Sequence, residues 1–459
     1  MRKLLLLTLM VVFGVLFAAC GRQGTQEAEN YHEPVITAPR ERITEMEAVI
    51  PPEPVYEPVA IPRPVNAIFL DDLGYMLYVL ENNFALFDVA YWARGVNIPA
   101  IVENIRAEIL ADPNMDAMGF MDALWYHFYP LWFIGHFHIM GAYMHGNIVN
   151  DPNAWQNWAF NSEVLARLHY PHVMAFYEPM HPTTFGSFSA GGMVMPDNVI
   201  TEIIEDGRIA YLAVNSFMNF PVPGDEDRQI LDFFDEIRDF EHLIIDLREN
   251  EGGRLDYFKQ LIMGPNIDRN ITIYGFVFMP NGRYSSEFSP ALFLGTDIQG
   301  MGLRIADRAF TPIDEFLSGL YLPDLNVADM ERMEYGFRVR TTVSPHRLHL
   351  FDNEPAFGGE IWLLTGVLTG SAAQISAWIA RETGFATLVG EVTGGNFGGH
   401  RTMVALPNSG IVFTMDTMYI TDEWGRPLEA GTLPHYFNRE GMDALETVLA
   451  LIKCKNPAK

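Results

Sequence analysis

The sequence predicts an α/β fold, with a core of alternating strands and helices preceded by a small helical N-terminal domain. Residues 209–459 carry apolar strand candidates that alternate with helical segments, whereas apolar positions in residues 66–150 recur at three- and four-residue spacing. Strands that alternate with helices build a sheet with a large parallel component. The chain has 459 residues and is 49% hydrophobic, so it can bury the core that such a sheet needs.

The N-terminal domain is predicted to contain three helices. The apolar stripe of the first helix consists of Leu73, Met76, Leu77, Leu80, Phe84 and Phe87. A second helix is predicted over residues 98–110, where Asp112-Pro113 ends it, and a third begins near Asp116. The stretch from Ile134 to Ile139 alternates like a strand.

The core from residue 209 onward contains buried strand candidates separated by helices. The predicted strands are residues 209–214, 243–247, 271–278 and 361–367, and the predicted helices are residues 229–240, 255–263 and a helix that opens at Ser371. Residues 280–358 are predicted to be an insertion with a hairpin near residues 337–343. Residues 151–208 connect the helical domain to the core, and their Gly-rich part, residues 185–192, is typical of a surface loop.

The first 19 residues have a basic start, a short apolar run and small residues before Cys20, a pattern typical of a secretory signal. The ending Phe17-Ala18-Ala19-Cys20 resembles a bacterial lipobox, which implies cleavage before Cys20 and lipidation of its thiol. Ordinary secretion with a chance cysteine is the alternative. Residues 20–65 are rich in Pro and Glu and predict an extended tether. We expect an extracytoplasmic protein anchored to a bacterial membrane by its lipid.

The net charge argues against a nucleic-acid-binding protein, and the cysteines argue against a fold held by a disulfide. The chain carries 58 acidic and 30 basic residues, and a surface this acidic repels nucleic-acid backbones. The second of the 2 cysteines is Cys454, so acylation of Cys20 leaves no pair for an intramolecular disulfide.

Ser371 stands where a buried strand passes into a helix of small residues. The first N–H groups of a helix have no partner within it, and an acyl-transfer enzyme places its nucleophile beside such donors. Ser371 is therefore a candidate nucleophile, although a small residue that merely starts a core helix is the alternative. The turn Gly252-Gly253 follows another buried strand, and it can present N–H groups to an oxyanion or serve only as a tight β-α turn.

Three motifs in this order resemble the C-terminal processing peptidase family, the tail-specific protease and tricorn-core group of serine peptidases. The motifs are Asp246–Gly253, Thr369–Ala373 and Gly390–Gly395, and the resemblance covers residues 209–437. It implies a ClpP/crotonase-like core, a polypeptide substrate and no cofactor. It also implies Ser371 as nucleophile, with the N–H groups of Ala372, Gly252 and Gly253 as the oxyanion hole. Residues 151–208 are too short for the PDZ domain common in this family.

The general base differs from that of the processing branch. The lysine of that branch is Asn396 here, and an amide cannot accept the serine proton. The tricorn-like branch takes a histidine from the preceding helical region, and the resemblance implies His136 for this role and Glu429 as its support. His400 is a second candidate base. The chain also departs from the family pattern at Ile134, Gln374 and His435.

Two further interpretations use the same residues. His136 and His138 have a spacing common among metal ligands, but no third ligand stands nearby in the sequence, so no metal site is predicted. A non-catalytic carrier of apolar ligands or peptides on a peptidase-like fold is the alternative to an enzyme, and the missing lysine is compatible with it. A histidine within hydrogen-bond reach of Ser371 would favour the enzyme.

Overall fold

The computed structural model describes most of the chain from residue 66 onward. The described residues are 66–132, 134–150, 162–181, 197–218, 226–287, 302–307, 310–346, 355–396 and 399–455. The predicted signal, the tether with Cys20 and the Gly-rich loop 185–192 lie outside them. The chain divides into two compact units, one of Met1–Val49 with Val448–Lys459 and one of Ile50–Thr447. In the first unit the described residues, 448–455, are helical, and the remaining description concerns the second unit.

Thirteen α-helices lie in the described part of the chain. They are α1 (Ala67–Asn83), α2 (Phe87–Arg94), α3 (Ile98–Ala111), α4 (Ala117–Phe128), α5 (Ala142–Val149), α6 (Ser162–Leu168), α7 (Pro171–Tyr177), α8 (Glu226–Glu236), α9 (Leu255–Tyr257), α10 (Arg283–Ser286), α11 (Ile313–Leu317), α12 (Ser371–Glu382) and α13 (Ala444–Lys455). None of the helices in this part of the chain combines the length and the apolar character that crossing a membrane requires.

The strands of the described residues are likewise numbered along the chain. They are β1 (His138–Ile139), β2 (Val199–Glu205), β3 (Ile209–Val214), β4 (His242–Asp246), β5 (Ile271–Met279), β6 (Arg304–Ile305), β7 (Thr311–Pro312), β8 (Tyr335–Val343), β9 (Glu360–Thr365), β10 (Thr387–Gly390), β11 (Gly399–Ala405), β12 (Val412–Asp422) and β13 (Tyr436–Phe437). They form one six-stranded and one seven-stranded sheet. The α/β class and the helical N-terminal region predicted from the sequence are confirmed.

The N-terminal helices begin where the sequence supplies caps. The side chain of Asn97 accepts a hydrogen bond from the N–H of Ala100 at the start of α3, and Asp116 accepts one from Gly119 at the start of α4. The first predicted stripe is split, because α1 ends at Asn83 and α2 begins at Phe87. The apolar faces of these helices pack in one cluster with β5 and β12.

The six-stranded sheet has the order β13-β10-β9-β4-β3-β2. Its strands are parallel from β13 to β3, and β2 adds an antiparallel edge. All five residues of β4 are buried, as the continuous apolar run in the sequence indicates for a strand covered on both faces. Helices α8 and α12 pack on this sheet in one apolar core. The carboxyl ends of β4 and β9 lead into the Gly252-Gly253 turn and Ser371.

The seven-stranded sheet has the order β1-β12-β5-β8-β6, with β11 paired to β12 and β7 to β8. The hairpin predicted near residues 337–343 is wrong, because β8 pairs along its length with β5 and does not fold back on itself. Part of the predicted insertion 280–358 therefore supplies strands to this sheet. The predicted helix 255–263 is helical, but α9 passes into a π-helix over Phe258–Met263.

The strand predicted over Ile134–Ile139 is wrong except for its last two residues, which form β1. Gly135 and His136 have φ values of 54° and 50°, and the N–H of Phe137 donates to the carbonyl of Ile134. Two consecutive left-handed residues turn the chain, so this segment cannot be extended. The turn brings His136 against Thr414 and Asp416 in the first half of β12.

Candidate active site

Ser371 is the first residue of α12, and its backbone is strained. Its φ is 49°, in the left-handed region that a residue with a side chain seldom adopts. Its N–H donates to the carbonyl of Gly395 at 3.0 Å, which ties the start of the helix to the turn after β10. Among the described residues, the other non-glycine residues with positive φ are His136, Phe310 and Asn396. Such strain collects at functional sites, and three of these four residues meet at this one.

His136 is within reach of the serine. Its Nε2 lies 3.4 Å from Ser371 Oγ, across 235 residues of sequence. Two contacts fix its main chain: its carbonyl accepts from the hydroxyl of Thr414 at 2.7 Å, and its N–H donates to Oδ1 of Asn396 at 3.3 Å. The side chain is 18% exposed, so the ring is sheltered but reachable. The structure thus brings together the two residues that the sequence proposed as nucleophile and base.

Asp416 on β12 contacts the second nitrogen of the imidazole. Its Oδ2 lies 2.7 Å from Nδ1 of His136, and its side chain is 0% exposed. A carboxylate accepts only, so Nδ1 carries the proton and the neutral ring presents Nε2 as an acceptor to Ser371 Oγ. Asp416 was not among the sequence-predicted site residues. Its signal was the one acid within the apolar and threonine run of residues 412–421, because a buried charge needs a partner.

Glu429 supports the site by another route. Its Oε1 accepts from the N–H of Asn396 at 3.1 Å, and Oδ1 of Asn396 accepts from the N–H of His136. The intermediary is therefore Asn396, at the position where the resemblance implied a lysine for the processing branch. This brace acts on the main chain of the His136 turn, whereas Asp416 acts on the ring. Gln374 anchors the same region, since its Nε2 donates to the Leu428 carbonyl and to Thr432 Oγ1, each at 3.0 Å.

The glycine turn lies directly against Ser371. A Cβ on Gly252 would come within 2.7 Å of the Ser371 Cβ and 2.8 Å of the Ala372 nitrogen, so only glycine fits. The N–H of Gly252 is engaged by Oδ1 of Asn250 at 2.8 Å, so the expected oxyanion donors narrow to two. Within the described part of the chain, the N–H groups of Gly253 and Ala372 donate no hydrogen bond.

The remaining candidates lie elsewhere or outside the description. The side chain of His400 is not among the described ones, although its backbone belongs to β11. The ring of His138 packs on Trp132, with 4.4 Å between ring centroids. Nδ1 of His435 accepts from the N–H of Leu388, a structural contact. Searching the described residues gives no group of three or more His, Cys, Asp or Glu side chains arranged to hold a metal ion.

Comparisons with known proteins agree with this description. Residues 208–436 match the model of peptidase family S41. A search of curated proteins found no match.

Three solved structures are among those to which the chain is similar. A protein from Parabacteroides merdae ATCC 43184, described as a peptidase, is 16% identical, with 85% of this chain and 98% of that chain covered and a TM-score of 0.47. Mature CPAF complexed with lactacystin is 12% identical, with coverage of 81% and 94% and a TM-score of 0.47. The photosystem II D1 C-terminal processing protease is 13% identical, with coverage of 54% and 50% and a TM-score of 0.30. Since these TM-scores are low, the family assignment rests on the family model.

Proposed function

Because the chain belongs to peptidase family S41, we propose that it is a serine endopeptidase that cleaves polypeptides through an acyl-enzyme at Ser371, with His136 as general base. The observation that carries the proposal is the continuous contact from Ser371 Oγ to His136 Nε2 at 3.4 Å and from His136 Nδ1 to Asp416 Oδ2 at 2.7 Å. Nucleophile, base and a carboxylate that orients the base are the groups that acyl transfer requires.

The first half-reaction forms the acyl-enzyme. Ser371 Oγ attacks the scissile carbonyl carbon while its proton passes to Nε2 of His136, and the carbonyl oxygen becomes an oxyanion. We assign the N–H groups of Ala372 and Gly253, which donate no hydrogen bond within the described residues, as the donors to that oxyanion. The intermediate collapses as the carbon–nitrogen bond breaks, and Nε2 gives its proton to the leaving amine. Asp416 stabilises the imidazolium that exists between these two proton transfers.

The second half-reaction releases the acid. Water loses a proton to Nε2 and attacks the ester carbon, and Ser371 leaves with that proton restored. The distance of 3.4 Å is longer than a tight hydrogen bond, as is common before substrate binds. No lysine is needed for these steps, because an imidazole whose Nδ1–H is held by a carboxylate is a sufficient base. This accounts for Asn396 at the lysine position, where it braces the turn.

The carrier alternative lacks a comparable observation. A carrier performs no proton transfer, so it has no use for a histidine that a buried carboxylate orients toward a serine hydroxyl. The serine, the histidine and Asn396 also hold left-handed backbone conformations, which cost of order 1–3 kcal/mol per residue and cluster at functional sites. These residues therefore support the enzyme over the carrier.

The decisive experiment is active-site labelling with a fluorophosphonate probe, together with hydrolysis of an unfolded polypeptide. We expect Ser371→Ala to abolish labelling and to reduce hydrolysis by at least about 10³-fold. Ser376→Ala is the matched control, because Ser376 lies one helical turn later, is buried, and only donates to the Ala372 carbonyl. A folded Ser371→Ala protein with full hydrolysis would overturn the proposal.

We further propose that the protein acts outside the cytoplasm, anchored to a bacterial membrane by a lipid on Cys20. The support is the lipobox-like ending before Cys20 and the Pro- and Glu-rich residues 20–65. Metabolic labelling with an alkyne fatty acid is expected to tag the full chain and not the Cys20→Ala variant. Equal labelling of the two would refute lipidation at this position.

A further inference from the structure

Arg401 on β11 faces the carboxylate that orients the base. In the antiparallel pairing of β11 with β12, Arg401 is directly opposite Asp416. Directly opposed residues project to the same face of a sheet, with Cβ atoms about 4.5–5.5 Å apart. Arg401 therefore occupies the strand position directly opposite Asp416, and the two side chains leave the sheet on the same side.

Both groups have an unsatisfied atom. Oδ2 of Asp416 contacts His136, but its buried Oδ1 has no hydrogen-bond partner. The buried Nε of Arg401 has none either, and Arg401 forms no ion pair with a described residue. A buried polar atom without a partner destabilises the fold, and more so when the group is charged. Two such atoms of opposite charge on opposed strand positions complement each other, and one water molecule between them would satisfy both.

Other charged groups near the site are committed elsewhere. Arg94 donates to the carbonyls of Gly394 and Glu429, and the Glu429 carboxylate accepts from Asn396. The ring of His138 packs on Trp132. The side chain of His400 lies outside the described part. Among the described cations, Arg401 is thus the one that remains for the free oxygen of Asp416.

We propose that Arg401 is a positioning residue of the Ser371–His136–Asp416 site, and that its guanidinium holds the free oxygen of Asp416 so that the other oxygen stays on Nδ1 of His136. This rests on the proposed function, since it assigns a role within that site. The charge has a second effect, because a cation near the imidazole disfavours the imidazolium. Burial lowers the pKa of Arg401 while Asp416 raises it, so the guanidinium and the carboxylate interact, and burial followed by the Arg401 charge lowers the pKa of His138, two residues from His136.

The test compares two substitutions in the full chain. Arg401→Met removes the charge and keeps the length, whereas Arg401→Lys keeps the charge and loses the planar donors. Without the cation the imidazolium of His136 is favoured, so the acid limb of kcat/KM should move to higher pH by about 0.5–1 unit. We expect the plateau to fall about tenfold in Arg401→Met, and Arg401→Lys to keep the acid limb of the wild type.

A control variant and an NMR titration distinguish a positioning role of Arg401 from a purely structural one. The titration also distinguishes it from the proposed function, because it does not depend on catalysis. Arg340→Met is the control, an exposed arginine on β8 of the same sheet, and its profile should match the wild type. Histidine NMR titration in a Ser371→Ala background reports the His136 pKa without catalysis, and Arg401→Met should raise it by the same shift.

The possible failures are distinguishable. If wild-type protein does not react with the fluorophosphonate, the proposed function fails, whatever the titration shows. If wild type reacts but Arg401→Met leaves both the acid limb and the His136 pKa unchanged, the role of Arg401 is refuted. Should Arg401→Met not fold, Arg401→Gln decides, because it also removes the charge but keeps a polar side chain: a raised acid limb and His136 pKa support the role, and wild-type values refute it.

Discussion

The two sheets contribute different halves of the candidate active site. The parallel sheet supplies Ser371 after β9 and the Gly252-Gly253 turn after β4, both at the carboxyl ends of neighbouring strands. The antiparallel sheet supplies Asp416 from the middle of β12 and carries His136 in the turn before β1. The first half is local in sequence, because strand, turn and helix follow one another. The second half joins residues 280 positions apart.

The two halves of the site are held in position by different kinds of contact. On the parallel side, Asn250 holds the glycine turn by donating to the Val214 carbonyl and accepting from Gly252, and its own carbonyl accepts from Gly370. On the antiparallel side, the position of His136 depends on strand pairing and on the link to Asn396. A small change in the pairing of β1 with β12 would therefore misplace the base and leave the nucleophile and oxyanion donors intact.

The largest effect that tests this comparison is expected for Asp416→Asn. The amide can turn its NH₂ group toward Nδ1, which then has to accept, so the ring proton moves to Nε2. The neutral side chain also no longer stabilises the imidazolium. We expect a decrease of about 10³–10⁴-fold in kcat on an unfolded polypeptide, while thermal unfolding shows that the protein remains folded. A loss of less than tenfold would mean that the antiparallel sheet does not supply the orienting group.

Glu429→Gln is the matched change in the brace, and its effect should be smaller. Its side-chain oxygen can still accept from the N–H of Asn396, but without charge assistance. The expected outcome is a free energy of unfolding lower by about 1 kcal/mol and a decrease in kcat of about tenfold or less. If Glu429→Gln proved more damaging than Asp416→Asn, the two carboxylates would have to exchange the roles assigned above.

The smallest expected effect concerns pH. Burial lowers the pKa of His145 to about 4, with its Nε2–H donated to the Leu168 carbonyl and its Nδ1 facing His181 Nε2 at 2.8 Å. The ring stacks on Tyr177, whose hydroxyl donates to the Met140 carbonyl beside β1 and accepts from the N–H of Val412 in β12.

The sign follows from proton binding. Between the ordinary pKa of 6.5 and about 4, the unfolded chain binds a proton that the folded chain does not. The stabilising contribution of the neutral ring is therefore present above pH 6.5 and is lost as the pH falls toward 4. We expect Tm to fall over this window, and the fall to be roughly 2 °C smaller in His145→Gln. His127→Gln, a surface control, should keep the wild-type slope, and an unchanged slope in His145→Gln would refute the assignment.

The sequence by itself determined the elements whose information is local. The buried run of β4, the strand-to-helix junction at Ser371 and the caps of α3 and α4 follow from side chains within a few residues of each other. The resemblance of three motifs added His136 and Glu429 as candidates. It favoured His136 over His400 as the base, but nothing in the chain between them fixes the distance of either ring from Ser371.

Only the tertiary structure decided which groups meet. The turn that places His136 requires left-handed backbone at Gly135 and His136, and the extended alternation in the sequence indicated the opposite. The pairing of β11 with β12 places Arg401 next to Asp416 at the site. The N–H of Gly252 donates to Asn250, so it is not among the oxyanion donors. Each of these outcomes depends on strand pairing and buried hydrogen bonds between distant segments. Such contacts are fixed by the packing of the whole core, which no local pattern records.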